Sequence, residues 1–286
     1  MASLIQLSSP DFWLTRACDL FGVNKQEWSY ISGQTKLATW SEVLMGTGVY
    51  LLIVFGGKAV MKNQKPFEMA AFWRFHNLLL AIMSLFLLLL FAEQLIPNLF
   101  NNGLFWSVCH RDAWNTKLEL LYYINYLIKW YEFLDTFLLV LKKKSTPFLH
   151  VYHHSMTMVL CFTQLEGTTS VSWVPVTINL FVHVIMYYYY YLTALGIRVW
   201  WKKLVTTTQI VQFVIDLGFV YFCSYHVFIH RFYPNWPNYG ACRGDDPAAI
   251  FGCLLLSSYL LLFVKFFFDT YNKRSKKTNP IRSKNI

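Results

Sequence analysis

Three histidines, His150, His153 and His154, stand at i, i+3 and i+4. On an α-helix that spacing puts all three on one face. Imidazole near neutral pH can act as a nucleophile or as a general acid or base. Lys142, Lys143 and Lys144 precede the cluster, and Pro147 is placed to begin a helix. Residues 156–162 that follow are apolar enough to enter a bilayer. Histidines in such a helix are expensive, so the triplet reads as a site, against the plainer reading of histidines at a membrane surface.

Three other stretches carry polar side chains through apolar surroundings. Lys129, Glu132 and Thr136 share a helical face, extended by Tyr122 and Asn125, with Asp135 beside it. A lysine and two carboxylates in a membrane helix should point inward and pair, for chemistry or as a structural ion-pair network. Asn179, His183 and Tyr187 follow at i+4 steps as one polar stripe. Gln209, Gln212 and Asp216 share a third face, where interhelical hydrogen bonding is the structural alternative.

The elements that must position these groups follow from composition. The chain is 56% hydrophobic and 14% charged, and several of its apolar runs reach the roughly 20 residues that cross a bilayer. This is an all-α polytopic membrane protein. Seven spans are expected at about 40–61, 75–96, 118–141, 148–167, 171–195, 204–228 and 248–271. Residues 1–39 form an N-terminal segment too polar for a signal peptide, and 272–286 a basic tail. The net charge of +10 fits cytosolic loops better than a nucleic-acid partner. The connections after spans one, three and five, with the tail, carry sixteen Lys and Arg; the N-terminal segment and the remaining connections carry seven. By that asymmetry the N-terminus is lumenal and the C-terminus cytosolic. Cys109 and Cys242 then fall in lumenal loops, where an oxidising compartment allows a disulfide. The tail carries Arg282 and Lys284 near its end, similar to a dibasic retrieval signal.

On this topology the clusters around His150, Glu132 and Gln209 all lie in the cytosolic half, and His183 lies near mid-span. Beyond them the chain is nearly pure Leu, Phe, Val and Ile. A polar chamber open to the cytosol over an apolar slot suits an amphiphile with a polar head and a long acyl tail.

These residues resemble the ELO family of very-long-chain fatty acid elongases, membrane 3-oxoacyl-CoA synthases of the endoplasmic reticulum. The resemblance rests on KxxExxDT at 129–136, HxxHH at 150–154, NxxxHxxMY at 179–187 and TQxxQF at 208–213, in the family's order across about residues 40–275. The wording at 161–165 and 172–175 is similar to fungal members. The resemblance implies seven helices, six of them forming a barrel around an acyl tunnel. It implies condensation of a long-chain acyl-CoA with malonyl-CoA to a 3-oxoacyl-CoA, CO₂ and CoA. His153 would take the acyl group, and His183 would act on the malonyl group. His150 and His154 would orient and couple protons. Glu132 and Asp135 would fix tautomers, with Lys129 paired to them. Asn179, Tyr187, Gln209 and Gln212 would bind substrate, with Arg198, Lys202 and Lys203 at the CoA phosphates. No metal or cofactor is implied beyond the two CoA substrates. Partners would be membrane lipid, the ketoreductase, dehydratase and enoyl reductase of the cycle, and a second copy as a homodimer, with no nucleic acid.

The rival reading is a membrane di-iron desaturase or hydroxylase. Such sites need about eight histidines. The chain has eight, but His226, which forms HxxxH with His230, falls some 30 Å deeper than His150 at 1.5 Å per residue, and His76 and His110 fall at opposite ends. A seven-helix receptor or carrier would explain the bundle but not HxxHH beside paired carboxylates. Cys161 as acyl acceptor would sit two turns into the apolar half, where a thiolate is disfavoured.

Overall fold

The computed structural model describes residues 9–20 and 22–277, with side chains through Tyr271. Regular structure among the described residues is entirely helical. A short α1 (Pro10–Leu20) precedes α2 (Trp40–Met61), α3 (Ala70–Cys109), α4 (Thr116–Tyr131) and α5 (Phe133–Leu141). After them come α6 (Phe148–Glu166), α7 (Trp173–Ala194), α8 (Lys202–Phe232) and α9 (Asp246–Lys277). Single 3₁₀ turns lie at Arg111–Ala113 and Ser170–Ser172. Arg282 and Lys284 lie outside the described residues.

Five helices are long and apolar enough to cross a membrane: α2, α3, α7 with its leading turn, α8, and Asp246–Tyr271 of α9. Leu44, Leu52 and Phe55 on α2 and Leu254 and Leu261 on α9 face outward, exposed on the protein surface. The chain is a multi-pass membrane protein. The helices α4, α5 and α6 hold the lysine, carboxylates and histidines, and length and composition alone do not mark them as spans. Two boundaries differ from expectation. The second span was expected to end before Pro97, yet α3 continues through that proline to Cys109 and bends at Gly103, whose φ of +79° is open only to glycine. The third span was expected to be one helix, yet it breaks at Glu132 into α4 and α5.

Local chemistry sets several ends. Thr39 and Glu42 form a reciprocal capping box at the start of α2. Asn115 caps α4 by accepting from the Leu118 amide. Six helices pack in a closed circuit: α3 against α4, α4 against α6, α6 against α9, α9 against α8, α8 against α7, and α7 back against α3. The second helix lies outside it, against α5 and α6.

One end of the bundle carries the loop with Lys142, Lys143 and Lys144. The other is tied by Cys109–Cys242, whose Cα atoms are 4.0 Å apart. At that disulfide end the Arg243 amide donates to the Cys109 carbonyl at 2.9 Å, and the Ser170 amide to the Arg243 carbonyl at 3.2 Å. The segment before α2 crosses the same end. Tyr30 donates to Glu166 Oε1 at 2.5 Å and Ser32 to Oε2 at 2.7 Å. The Tyr126 phenol donates to the Leu37 carbonyl at 2.8 Å.

Candidate active site

Pro147 opens α6, and His150, His153 and His154 emerge from its first two turns. The rings of His150 and His154 are 4.5 Å apart, and those of His153 and His154 5.6 Å apart. The break at Glu132 is a tight right-handed turn, with φ −62° and ψ −16°. Such a turn brings residues i and i+3 over one another, and Lys129 Nζ donates to Glu132 Oε1 at 2.8 Å. Both side chains are buried, a placement that a charge tolerates only when paired.

Glu132 is the hub. His183 Nδ1 lies 3.3 Å from Oε1, and His154 Nδ1 3.8 Å from Oε2, both close without hydrogen-bond geometry. Lys129 also donates to Asn179 Oδ1 at 2.9 Å. One carboxylate and one ammonium thus tie α4, α6 and α7 together. A second network holds His150: its Nε2 is 3.0 Å from Thr136 Oγ1, which in turn is 2.9 Å from the Tyr50 phenol.

Asp135 points elsewhere than expected. It meets neither Lys129 nor the α6 histidines. Its Oδ2 accepts from the Tyr187 phenol at 2.6 Å, and its Oδ1 is 2.5 Å from His76 Nε2. Asp135 therefore orients His76 rather than the HxxHH rings. The opposite tip of that imidazole, Nδ1, is 3.1 Å from the Tyr131 phenol. Glu132 sits at the break itself and Asp135 in the first turn of α5, and each carboxylate meets different neighbouring helices. His76 and Tyr50 were missed by sequence reasoning. His76 carried a signal, being a histidine followed by Asn77 in an apolar run; Tyr50 carried none.

His153 differs from its neighbours. Its ring nitrogens have no hydrogen-bond partner among the described residues. Its ring sits 4.9 Å from that of Tyr259 and 5.9 Å from that of Phe263. Two cavities meet at this ring. A polar chamber is lined by Asp135, His150, His153, His154, His183 and Gln209 among others. An apolar channel runs past Thr157, Leu160, Cys161 and Leu165 of α6 to Trp114 and Tyr122. His153, Asn179, Gln212 and Phe213 border both. From His153 to Leu165 the helix rises about 18 Å at 1.5 Å per residue.

The structure brings together Lys129, Glu132, His150, His153, His154, Asn179, His183, Gln209 and Gln212. It does not bring the other expected substrate-binding residues to the cavity wall. Tyr187 is fully buried behind Asp135. Arg198, Lys202 and Lys203 are exposed outside the chamber, and the Lys203 ammonium sits over the Phe267 ring.

Fold and site together define a multi-pass helical membrane protein with a histidine–carboxylate chamber at the mouth of an apolar channel. Residues 35–279 match the GNS1/SUR4 family, ELO. Two Schizosaccharomyces pombe relatives, provisionally named fatty acid elongase 1 and 2, are 48% and 44% identical. They align over 90% and 92% of this chain and 77% and 72% of their own lengths. Fatty acid elongase A of Dictyostelium discoideum is 39% identical over 80% of this chain and 84% of its own. The chain belongs to the ELO family of fatty acid elongases, a family of enzymes.

Proposed function

We propose that the protein condenses a long-chain acyl-CoA with malonyl-CoA, the first step of very-long-chain fatty acid synthesis, through an acyl-histidine at His153. The observation that carries this reading is the position of the unpartnered His153 ring where a polar chamber meets an apolar channel. An acyl-CoA laid across that junction has its tail in the channel, its carbonyl at His153 and its CoA at the chamber.

In the first half-reaction an imidazole nitrogen of His153 attacks the thioester carbonyl. The C–S bond breaks, the imidazole proton passes to the departing thiolate, and CoA leaves. In the second, the bond to the malonyl carboxylate breaks, CO₂ departs, and the electron pair stays on the adjacent carbon. That carbon attacks the acyl group, the C–N bond breaks, and His153 takes up a proton. His183 faces the malonyl group and stabilises the enolate, an arrangement supported by its approach to Glu132. His150 and His154 orient the first ring and couple its protons. Arg198, Lys202 and Lys203, at the approach to α8, meet the CoA phosphates outside the chamber.

The circuit of six helices supports a barrel around the acyl tunnel, with α4–α5 and α6 completing seven spans. The excess of Lys and Arg in the connections after spans one, three and five supports a chamber facing the cytosol, with the N-terminus and the disulfide on the lumenal side of the endoplasmic reticulum. Reductive and dehydrating enzymes there complete each cycle, and the protein works among lipids and as a homodimer. The di-iron alternative is weakened by ligand geometry. Among the described residues the group of three His, Cys, Asp or Glu ligand atoms lying within 4.8 Å of one another is Cys109, Cys223 and Cys242, not the histidines.

The test is incubation of purified protein with acyl-CoA alone. CoA is released and the acyl mass maps to His153; His153→Ala abolishes both. Wild-type protein that releases no CoA until malonyl-CoA is added sinks the covalent scheme, and absence of any 3-oxoacyl-CoA sinks the condensation.

A further inference from the structure

The apolar channel holds a carboxyl group that the condensation does not use. Asp216, on α8, is 0% exposed and lines the channel beyond Gln212. Its Oδ2 accepts from Gln212 Nε2 at 3.3 Å. Its Oδ1 is buried without a hydrogen-bond partner, and no cation among the described residues is paired with it.

Most other polar groups on the same wall are occupied. Lys129 holds Glu132 and Asn179. Thr157 meets the Tyr259 phenol at 3.0 Å, Gln164 donates to the Ala248 carbonyl at 3.0 Å, and Ser172 meets Thr169. Asn125 Oδ1 is also unpartnered, while its Nδ2 faces Cys161 Sγ at 3.5 Å. A side-chain amide can present either a donor or an acceptor by turning end for end; both ends of a carboxyl group are oxygen, so turning it leaves the same group open. A half-satisfied carboxyl group in an apolar slot is strongly unfavourable by itself. A straight hydrocarbon chain would leave it so.

We propose that Asp216 is a recognition subsite for a hydroxyl group carried on the acyl chain, so that the channel takes hydroxylated long-chain acyl thioesters. This rests on the reading of the channel as the acyl site. A hydroxyl both donates and accepts, so it can complete the carboxyl oxygen left open by Gln212. The depth is defined by the helix. Gln212 borders the junction at His153, and Asp216 follows one turn later, about 6 Å farther at 1.5 Å per residue. The hydroxyl therefore sits several bonds beyond the acyl carbonyl, and neighbouring positions along the chain miss the carboxyl group.

The test uses the purified full-length protein and a panel of acyl-CoAs of one length, unsubstituted or with a single hydroxyl moved along the chain. Binding is read from ligand-dependent thermal unfolding, and turnover with labelled malonyl-CoA. One position, or two adjacent ones, should bind at least about tenfold tighter than the others, the scale of leaving a buried hydroxyl unpaired. In Asp216→Leu that preference should vanish, judged as a ratio within the variant so that any general loss cancels. Should Asp216→Leu not fold, Asp216→Glu moves the carboxyl group by one methylene, and the preferred position should move with it. A flat wild-type profile, a profile unchanged in Asp216→Leu, or an optimum unmoved in Asp216→Glu overturns the subsite. A peaked binding profile with no product from any acyl-CoA keeps the subsite and sinks the condensation instead.

Discussion

His76 Nε2 stands 2.5 Å from Asp135 Oδ1, joining α3 to α5 in a contact buried completely on the histidine side. The Tyr187 phenol closes the same carboxylate from α7, so Asp135 is the knot of three helices behind the chamber wall. His76→Ala leaves Asp135 one hydrogen bond short in a site water does not reach. We expect a loss of about 1–3 kcal/mol in stability, read as a lower unfolding temperature in detergent, together with reduced turnover. His226→Ala is the comparison: His226 is also buried, has no polar partner among the described residues and lies among Phe105, Phe222 and Tyr239 away from the chamber. Equal activity losses in the two variants would refute a special role for the Asp135 knot.

Lys129 and Glu132 form the buried ion pair at the centre of the site. Glu132→Gln strands the Lys129 ammonium and should destabilise the protein by about 3–5 kcal/mol. The double variant Lys129→Met/Glu132→Gln removes both charges and should recover much of that stability. It should not recover activity, because His183 and His154 still lack their carboxylate. A double variant that turns over like the wild type would show the pair to be structural alone.

The disulfide closes a separation of 133 residues between Cys109 and Cys242. Cys242→Ser should lower stability by about 2–4 kcal/mol. Peptide mapping without reduction should find Cys109 linked to Cys242. Cys223, whose sulfur is 3.8 Å from that of Cys109, should be recovered as a free thiol. Linkage of Cys223 to either partner would show that the pairing is different.

Tyr30 ties the N-terminal segment across the disulfide end. Burial opposes its phenolate, and Glu166 beside it adds to the effect, so its pKa is raised above the ordinary tyrosine value. A group that holds its proton more tightly when folded contributes full stability below its unfolded pKa, about 10, and loses it as pH rises above that. An alkaline unfolding titration should therefore show a loss above about pH 10 that is smaller in Tyr30→Phe. That variant starts lower at neutral pH by about 1 kcal/mol for the missing hydrogen bond. Parallel titrations would remove Tyr30 from the account.

What sequence alone determined here is what depends on local spacing and on bulk polarity. Apolar runs of bilayer length marked α2, α3, α7, α8 and α9. The i, i+3 and i+4 placement put three histidines on one face of α6. The cost of charge in an apolar helix marked Lys129 and Glu132 as a site before any contact was known. The partners were decided by tertiary structure. Asp135 and Glu132 are three residues apart and chemically alike, yet one meets His76 and Tyr187 and the other approaches His183 and His154. Nothing local separates them, because the choice is made by which neighbouring helix each carboxylate meets. Tyr50 reaches Thr136, 86 residues away in sequence, only because α2 packs outside the circuit against α5 and α6. Likewise, His153 differs from His150 and His154 because it stands at the edge of their shared face, against Tyr259 and Phe263 of α9, at the place where chamber and channel meet. Periodicity assigns a face to a helix; only packing decides what that face looks onto.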